Sequence, residues 1–374
     1  MPLSRRDFFR TSLSAGAAAA ALTLPTELFA GQEPSRAPSP GGPILLNSNE
    51  NPYGPWPSLI DAMKTAARHA HRYPDDAHGP LIERIAALHR VSPEQVVIGC
   101  GSGEILRICG ECFTSPELGL VTAAPTFEAL ARYASMRNHP VRKLPLNSLF
   151  EHDLPAMAAS SKGKDGLVFI CNPNNPTASI TPRKKIDEYL STLRGKEMVL
   201  IDEAYHHFSL NASDYTSYLD KPVNNDRVIV SRTFSKIYGL AGLRVGYAIA
   251  APEVARRMRQ SALPDGVNII AAMCANFALT DLPGLASAIK RNEVDRADFQ
   301  AELAKRGLKA IPSQGNFVMM ETGRPIREVI AHFRQNNVAI GRPFPPLETH
   351  ARISLGTPEE MKVFWKTWDK MTVA

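Results

Sequence analysis

The chain has 374 residues, 44% hydrophobic and 21% charged, which excludes a disordered or fibrous protein and leaves room for two or three domains. Its 43 Lys and Arg against 37 Asp and Glu give a formal charge of +6. That excess comes without a Lys/Arg run, zinc-finger spacing or an aromatic-basic RNA motif, so nucleic acid is not an expected partner.

Residues Ser4-Arg5-Arg6-Asp7-Phe8-Phe9-Arg10 resemble the twin-arginine export motif. A mild apolar stretch, Ser12 to Leu24, follows and carries five consecutive alanines. It is too short and too weakly apolar to span a membrane, and no other stretch reaches ~18 uncharged apolar residues, so no stable membrane insertion is expected. Residues 1–30 read as a signal peptide ending at Leu28-Phe29-Ala30, and residues 31–43, rich in Pro, Gly and Ser, as a flexible leader. The expected location is the periplasm. The alternative is a basic, Ala-rich helix that stays attached.

Beyond the leader, short apolar runs alternate with helical patterns. Val96-Val97-Ile98 leads through a glycine turn to a helix from about Glu104. Leu118 to Val121 precedes a helix from about Thr126. Leu167 to Ile170 runs into a Pro/Asn loop and a helix from about Pro182. Met198 to Ile201 ends in Asp202-Glu203, and Val228 to Val230 and Val245 to Ile249 are two more strands. Such alternation predicts an α/β three-layer sandwich with a mostly parallel central sheet, whose chemistry sits at the carboxyl ends of the strands. From about Ala251 two long helices are expected over 252–280 and 283–306. Strands near 316–320 and 351–355, each followed by a helix, complete a smaller α+β domain. The expected organisation is 44–70 as an N-terminal part of the small domain, 71–260 as the large domain and 261–374 as the rest of the small one. Cys109 and Cys112 form a C-x-x-C inside a helix, with no second pair for zinc; they read as two small buried side chains, with a disulfide as the alternative.

Thr233-Phe234-Ser235-Lys236 follows a strand, and Arg244 lies eight residues on among glycines. A lysine among hydroxyls, glycines and an arginine suits a phosphate-bearing aldehyde cofactor: the amine forms the Schiff base, and Thr233, Ser235 and Arg244 grip the phosphate. Asp202 ends another strand, where a carboxylate can hold a pyridine nitrogen protonated. Asn175, in Asn172-Pro173-Asn174-Asn175-Pro176-Thr177, can donate to a ring oxygen, and Tyr205 can supply a second donor. Gly101-Ser102-Gly103-Glu104 opens a helix and makes an anion site from backbone N–H groups.

In this order the motifs resemble fold-type I pyridoxal-phosphate aminotransferases of class I/II, and within them the histidinol-phosphate aminotransferase group. Asn47-Ser48-Asn49-Glu50-Asn51-Pro52-Tyr53-Gly54-Pro55, Arg72-Tyr73-Pro74-Asp75 and Ala351-Arg352-Ile353-Ser354-Leu355-Gly356-Thr357 extend the likeness over about residues 44–372. The resemblance implies pyridoxal 5'-phosphate as cofactor and a ping-pong amino transfer between an amino acid, or a histidinol-phosphate-like amine, and a 2-oxo acid. It makes Lys236 the residue that bonds the cofactor aldehyde and Asp202 the partner of the ring nitrogen. Asn175 and Tyr205 then face the ring hydroxyl, while Ser102, Gly103, Glu104 (through its backbone), Thr233, Ser235 and Arg244 surround the phosphate. Phe127 stacks on the ring. Tyr73 reaches the neighbouring subunit's phosphate, which implies a homodimer with shared sites. Arg352 clamps the substrate carboxylate, and Asn51, Tyr53 and Arg342 belong to the substrate side. Two departures stand out. Ala178 follows Thr177 where the family has glycine, so a small backbone change is expected. In the loop Gly341-Arg342-Pro343-Phe344-Pro345-Pro346, Arg342 can serve a substrate phosphate, as the resemblance implies, yet the loop is stiffer and more apolar than a phosphate pocket calls for, which argues against histidinol phosphate. A decarboxylase on the same scaffold is the rival enzyme. A cofactor-bound DNA sensor is a weaker rival, because residues 1–43 leave no room for a helix-turn-helix.

Overall fold

The β-branched runs form the strands of one central sheet in the computed structural model, which describes residues 42–161, 165–193, 197–219 and 226–372. The expected export signal and most of the leader lie outside the described residues. The strands are β1 (Ile44–Leu46), β2 (Val96–Gly99), β3 (Gly119–Ala124), β4 (Val141–Pro145), β5 (Asp165–Cys171), β6 (Met198–Asp202), β7 (Val228–Thr233), β8 (Gly246–Ile249), β9 (Phe317–Glu321), β10 (Val338–Ile340) and β11 (His350–Ser354). Seven of them make the sheet, in the order β2-β8-β7-β6-β5-β3-β4. All pairs among β3 to β7 are parallel, and β8 runs antiparallel to both its neighbours.

Side chains alternate across this sheet, as the two-residue period of a strand requires. On β5, Val168 and Ile170 enter one apolar cluster while Leu167, Phe169 and Cys171 enter another on the opposite face. Helix Ser102–Phe113 covers the second face with Ile105, Leu106, Ile108 and Cys109. Helices Pro57–Ala66, Asp75–His89 and Ile269–Ala278 contribute Leu59, Leu81, Ile85 and Ala275 to the first. The three layers follow from strands that are apolar on both sides.

A third cluster joins β1, β9, β10 and β11 to Phe299, Leu303, Phe333, Phe364, Trp365 and Trp368. Here β1 pairs parallel with β10, and β9 pairs antiparallel with β11. The long helix expected over 252–280 is instead two, Pro252–Gln260 and Ile269–Ala278. Pro264 and Gly266 break it, and the Asn268 side chain accepts from Ala271 N to cap the second helix. Strands β1, β4 and β10 were not expected; at three to five residues they carry little periodicity. Cys109 and Cys112 are free and buried. Among the described residues no single helix is long and apolar enough to cross a membrane.

Candidate active site

Strand ends and the loops after them open into one cavity of about 1090 Å³. The ladder fixes its floor: Asp202 ends β6 opposite Ser231 of β7, and Cys171 ends β5 opposite Asp202. Ser231 Oγ donates to Asp202 Oδ1 at 2.9 Å. Burial pushes the Asp202 carboxyl up to about 6, against that hydrogen bond. The next residue, Glu203, is buried too, and Arg232 neutralises it with a bond from Nη2 at 2.8 Å.

Lys236 lies in the turn after β7 and lines the cavity. Its Nζ donates to the Asn49 carbonyl at 3.0 Å, with the Ser48 carbonyl at 3.5 Å, and sits 5.5 Å from the centroid of the Tyr205 ring. Burial, reinforced by the Arg352 guanidinium, pushes this amine down to about 8. Near neutral pH it can therefore give up a proton far more readily than an exposed lysine. Tyr205 is buried, which pushes its phenol up. Its hydroxyl oxygen accepts from Asn49 Nδ2 at 3.1 Å and from Asn175 Nδ2 at 3.4 Å.

Arg352 comes from β11 and is 8% exposed. Its Nη1 donates to Asn175 Oδ1 at 2.7 Å and its Nη2 to the Asn47 carbonyl at 2.6 Å. Its Nε is buried without a partner. Burial pushes the guanidinium down to about 10. An unpaired buried donor costs free energy unless something completes it, and Arg352 lines the cavity.

A second anion position lies across the site. Helix Ser102–Phe113 starts after Gly101 with no side-chain cap, which leaves first-turn N–H groups for an outside acceptor. Gly101 has a φ of 73° and faces Arg244; a Cβ there would lie 2.4 Å from Arg244 Nη2. A Cβ on Gly246 would lie 2.5 Å from the Ser102 nitrogen. These glycines let Arg244 and the loop close on a small volume. Arg244 Nη1 also donates to Ser235 Oγ at 3.3 Å, and Thr233, Ser235, Ser102 and Gly103 line the same cavity. A cradle that only glycine permits, an uncapped helix start, a lysine held near 8 and a buried acid on the opposite strand fit a phosphorylated pyridine aldehyde.

The structure thus brings together Lys236, Asp202, Tyr205, Asn175, Ser102, Gly103, Thr233, Ser235, Arg244, Phe127, Arg342 and Arg352. Three expected residues stand elsewhere in this chain, and Tyr73, expected at the neighbouring subunit's phosphate, is not part of this cavity. The Glu104 carboxylate turns back to accept from Cys100 N at 2.5 Å, and its own N–H is used by the Gly101 carbonyl. Asn51 braces the lysine turn, donating to the Ile237 carbonyl at 3.0 Å. Tyr53 donates to Asp295 Oδ1 at 3.0 Å, with Arg291 over its ring. Tyr73 is 78% exposed. Within one chain, Asn47 to Glu50 line the cavity, whereas Asn51 and Tyr53 do not. The Asn47 carbonyl accepts from Arg352 and the Asn49 side chain donates to Tyr205, so both residues are tied to cavity side chains. Ser231 was also missed, as was Asn174, which accepts from Thr126 Oγ1 at 2.6 Å and donates to Thr177 Oγ1 at 2.8 Å. Ala178 takes a φ of 58°, the left-handed region that glycine favours, so the loop makes the tight turn and the alanine bears the strain.

Comparison with known proteins bears on the family and the cofactor. The family model for aminotransferases of class I and II matches residues 42–367. A histidinol-phosphate aminotransferase of Moorella thermoacetica is 36% identical over 86% of this chain and 83% of its own length. One from Shouchella clausii is 33% identical over 86% of this chain and 87% of its own. A crystal structure from Erwinia carotovora atroseptica, provisionally assigned as a histidinol-phosphate aminotransferase, is 32% identical with a TM-score of 0.84, covering 88% of this chain and 96% of that one. The chain belongs to the class I and II aminotransferases, and it is a pyridoxal-phosphate-dependent aminotransferase.

Proposed function

We propose that this aminotransferase takes an amino donor whose carboxylate binds Arg352, passes the amino group to a 2-oxo acid by a ping-pong cycle, and works as an exported homodimer. The observation that carries the donor assignment is the Arg352 fork, buried in the cavity with Nε unpartnered. A carboxylate offers the two oxygens that such a fork binds best.

Bound pyridoxal phosphate supplies an aldehyde that condenses with amines and a ring that accepts the electron pair released at the substrate Cα. The protein's residues do the rest. Arg244, Ser235, Thr233 and the start of helix Ser102–Phe113 hold the phosphate end. Asp202, screened from water and held by Ser231, supports a proton on the ring nitrogen. Arg352 fixes the donor's orientation, which selects the Cα bond that breaks. Lys236, already pushed down to about 8, takes the proton from Cα and returns it on the other side of the transfer.

Mass spectrometry of products from a panel of L-amino acids with a 2-oxo acid acceptor tests the reading. A keto acid and a new amino acid are expected; an amine with carbon dioxide would establish the decarboxylase instead. For the shared site, Tyr73 supplies the argument, being an aromatic side chain exposed over most of its surface. Coexpression of Lys236→Ala with Tyr73→Ala chains should recover activity in hybrid dimers, and no recovery would remove the shared-site proposal. Export rests on Arg5, Arg6 and the alanine run. Replacing both arginines by lysine should leave the protein in the cytoplasm, whereas unchanged secretion would end that reading.

A further inference from the structure

Phe344 carries two guanidinium groups on its ring, Arg342 with Cζ 4.3 Å from the centroid and Arg352 with Cζ 4.7 Å from it. The inner one, Arg352, is buried and keeps Nε open. The outer one, Arg342, is half exposed and already occupied. Its Nη1 donates to the Pro343 carbonyl at 2.9 Å and its Nη2 to Glu128 Oε2 at 2.5 Å. Glu128 immediately precedes helix Ala129–Met136, where the helix dipole favours a negative charge, and follows Phe127 on the cavity wall.

From this pairing we propose that Glu128 sets head-group specificity: by holding Arg342, it tunes the site to a singly charged carboxylate and against a phosphate monoester. The inference rests on the reading of Arg352 as the anion clamp. A carboxylate is satisfied by that one fork. A phosphate monoester carries nearly two charges near neutral pH and has three oxygens to satisfy, so it calls for a second cation. The guanidinium sharing the Phe344 ring is neutralised here, and the dianion would meet a carboxylate beside it. Arg132, Lys143 and Arg334 also line the cavity, but they are exposed and act through screening solvent on either anion. They raise the local concentration of both head groups, that of the dianion the more, so they work against the discrimination that the Glu128–Arg342 pair supplies.

The test is calorimetric binding to the holoenzyme, whose cofactor fills the inner phosphate cradle. The probes are phenylacetate and benzyl phosphate, which share an apolar ring and differ in the head group. Neither carries an amine, so the outcome does not depend on turnover, and its failure is distinct from failure of the donor panel. Wild type should bind phenylacetate the more tightly. Glu128→Gln should tighten benzyl phosphate about tenfold, the scale of removing one carboxylate from beside a dianion near a protein surface, and change phenylacetate less than about twofold. Glu128→Gln combined with Arg342→Ala should erase the gain. Benzyl phosphate binding unchanged in Glu128→Gln, or a gain that survives loss of Arg342, would overturn the proposal.

Discussion

Replacing Lys236 by methionine should abolish transamination and at the same time stabilise the cofactor-free protein. The ordinary lysine value is 10.5, and the cavity brings Lys236 to about 8. At 1.36 kcal/mol per pKa unit, that places about 3 kcal/mol on keeping the amine charged in the folded state. The side chain retains some contact with solvent, and its charge eases the burial of Asp202, so the expected net gain is about 2 kcal/mol. Methionine has the same unbranched reach and fills the volume without a charge. The Asn49 carbonyl keeps a partner, because Asn316 Nδ2 also donates to it at 3.1 Å. The pH dependence has a definite sign. Between about pH 8 and 10.5 the unfolded chain still holds the proton that the folded protein has released, so wild type gains stability with rising pH across that window. Below pH 8 the penalty is present in full. Urea unfolding of both cofactor-free proteins at neutral pH and near pH 10 reads the difference. A variant less stable than wild type at neutral pH, or a gain that does not shrink by pH 10, would show that the amine is not held in a desolvating site.

Arg352→Lys should raise KM for carboxylate donors by about a hundredfold, because an ammonium keeps the charge and loses the fork; initial-rate kinetics over donor concentration would show it. Gly101→Ala places a methyl group on the Arg244 guanidinium at a φ of 73°, so affinity for pyridoxal phosphate should fall at least about tenfold in a fluorescence titration. Asp202→Asn should cut kcat by about a thousandfold or more while cofactor still binds, measured by turnover against visible absorbance. Because burial raises Asp202 from 3.8 to about 6, the cofactor-free wild type loses stability as pH rises through that interval. The asparagine variant should lack that slope in acid-range unfolding curves.

Much of this was legible in the residues, and the limits of that legibility are physical. Strands such as Leu167–Ile170 are apolar on both faces, so composition alone announces a buried parallel sheet, and Asp202 and Lys236 stand out where the apolar run stops. Short strands paired at the periphery, β1 with β10, owe their existence to partners nearly three hundred residues away, which local pattern does not carry. The split of the helix after Gln260 is marked in the sequence by Pro264, although the apolar period resumes beyond it. Asn51, Tyr53 and Glu104 lie in the right motifs but turn away from the cavity, and which way a loop side chain faces is settled by contacts such as Tyr53 with Asp295. The partners that hold catalytic groups, Ser231 on Asp202 and Asn49 on Tyr205, are ordinary residues whose role exists only in the assembled register.

Chemistry and specificity therefore occupy parts of the molecule with different freedom to change. Asp202 and Ser231 are paired residues of adjacent buried strands, and Lys236 follows one of those strands; a shift of one residue in the ladder would turn the acid to the other face. Altering the reaction means altering the sheet. Arg342 and Glu128 sit in loops at the rim, both more than half exposed in their side chains, and a change at either leaves the sheet register intact. An exposed pair contributes only about 0–1 kcal/mol to folding, so its replacement is nearly free in stability while it redirects which anion the inner fork is asked to hold. On this scaffold a new substrate is cheaper to reach than a new reaction, and the place to look for the difference between this chain and its relatives is the Phe344 loop and not the lysine turn.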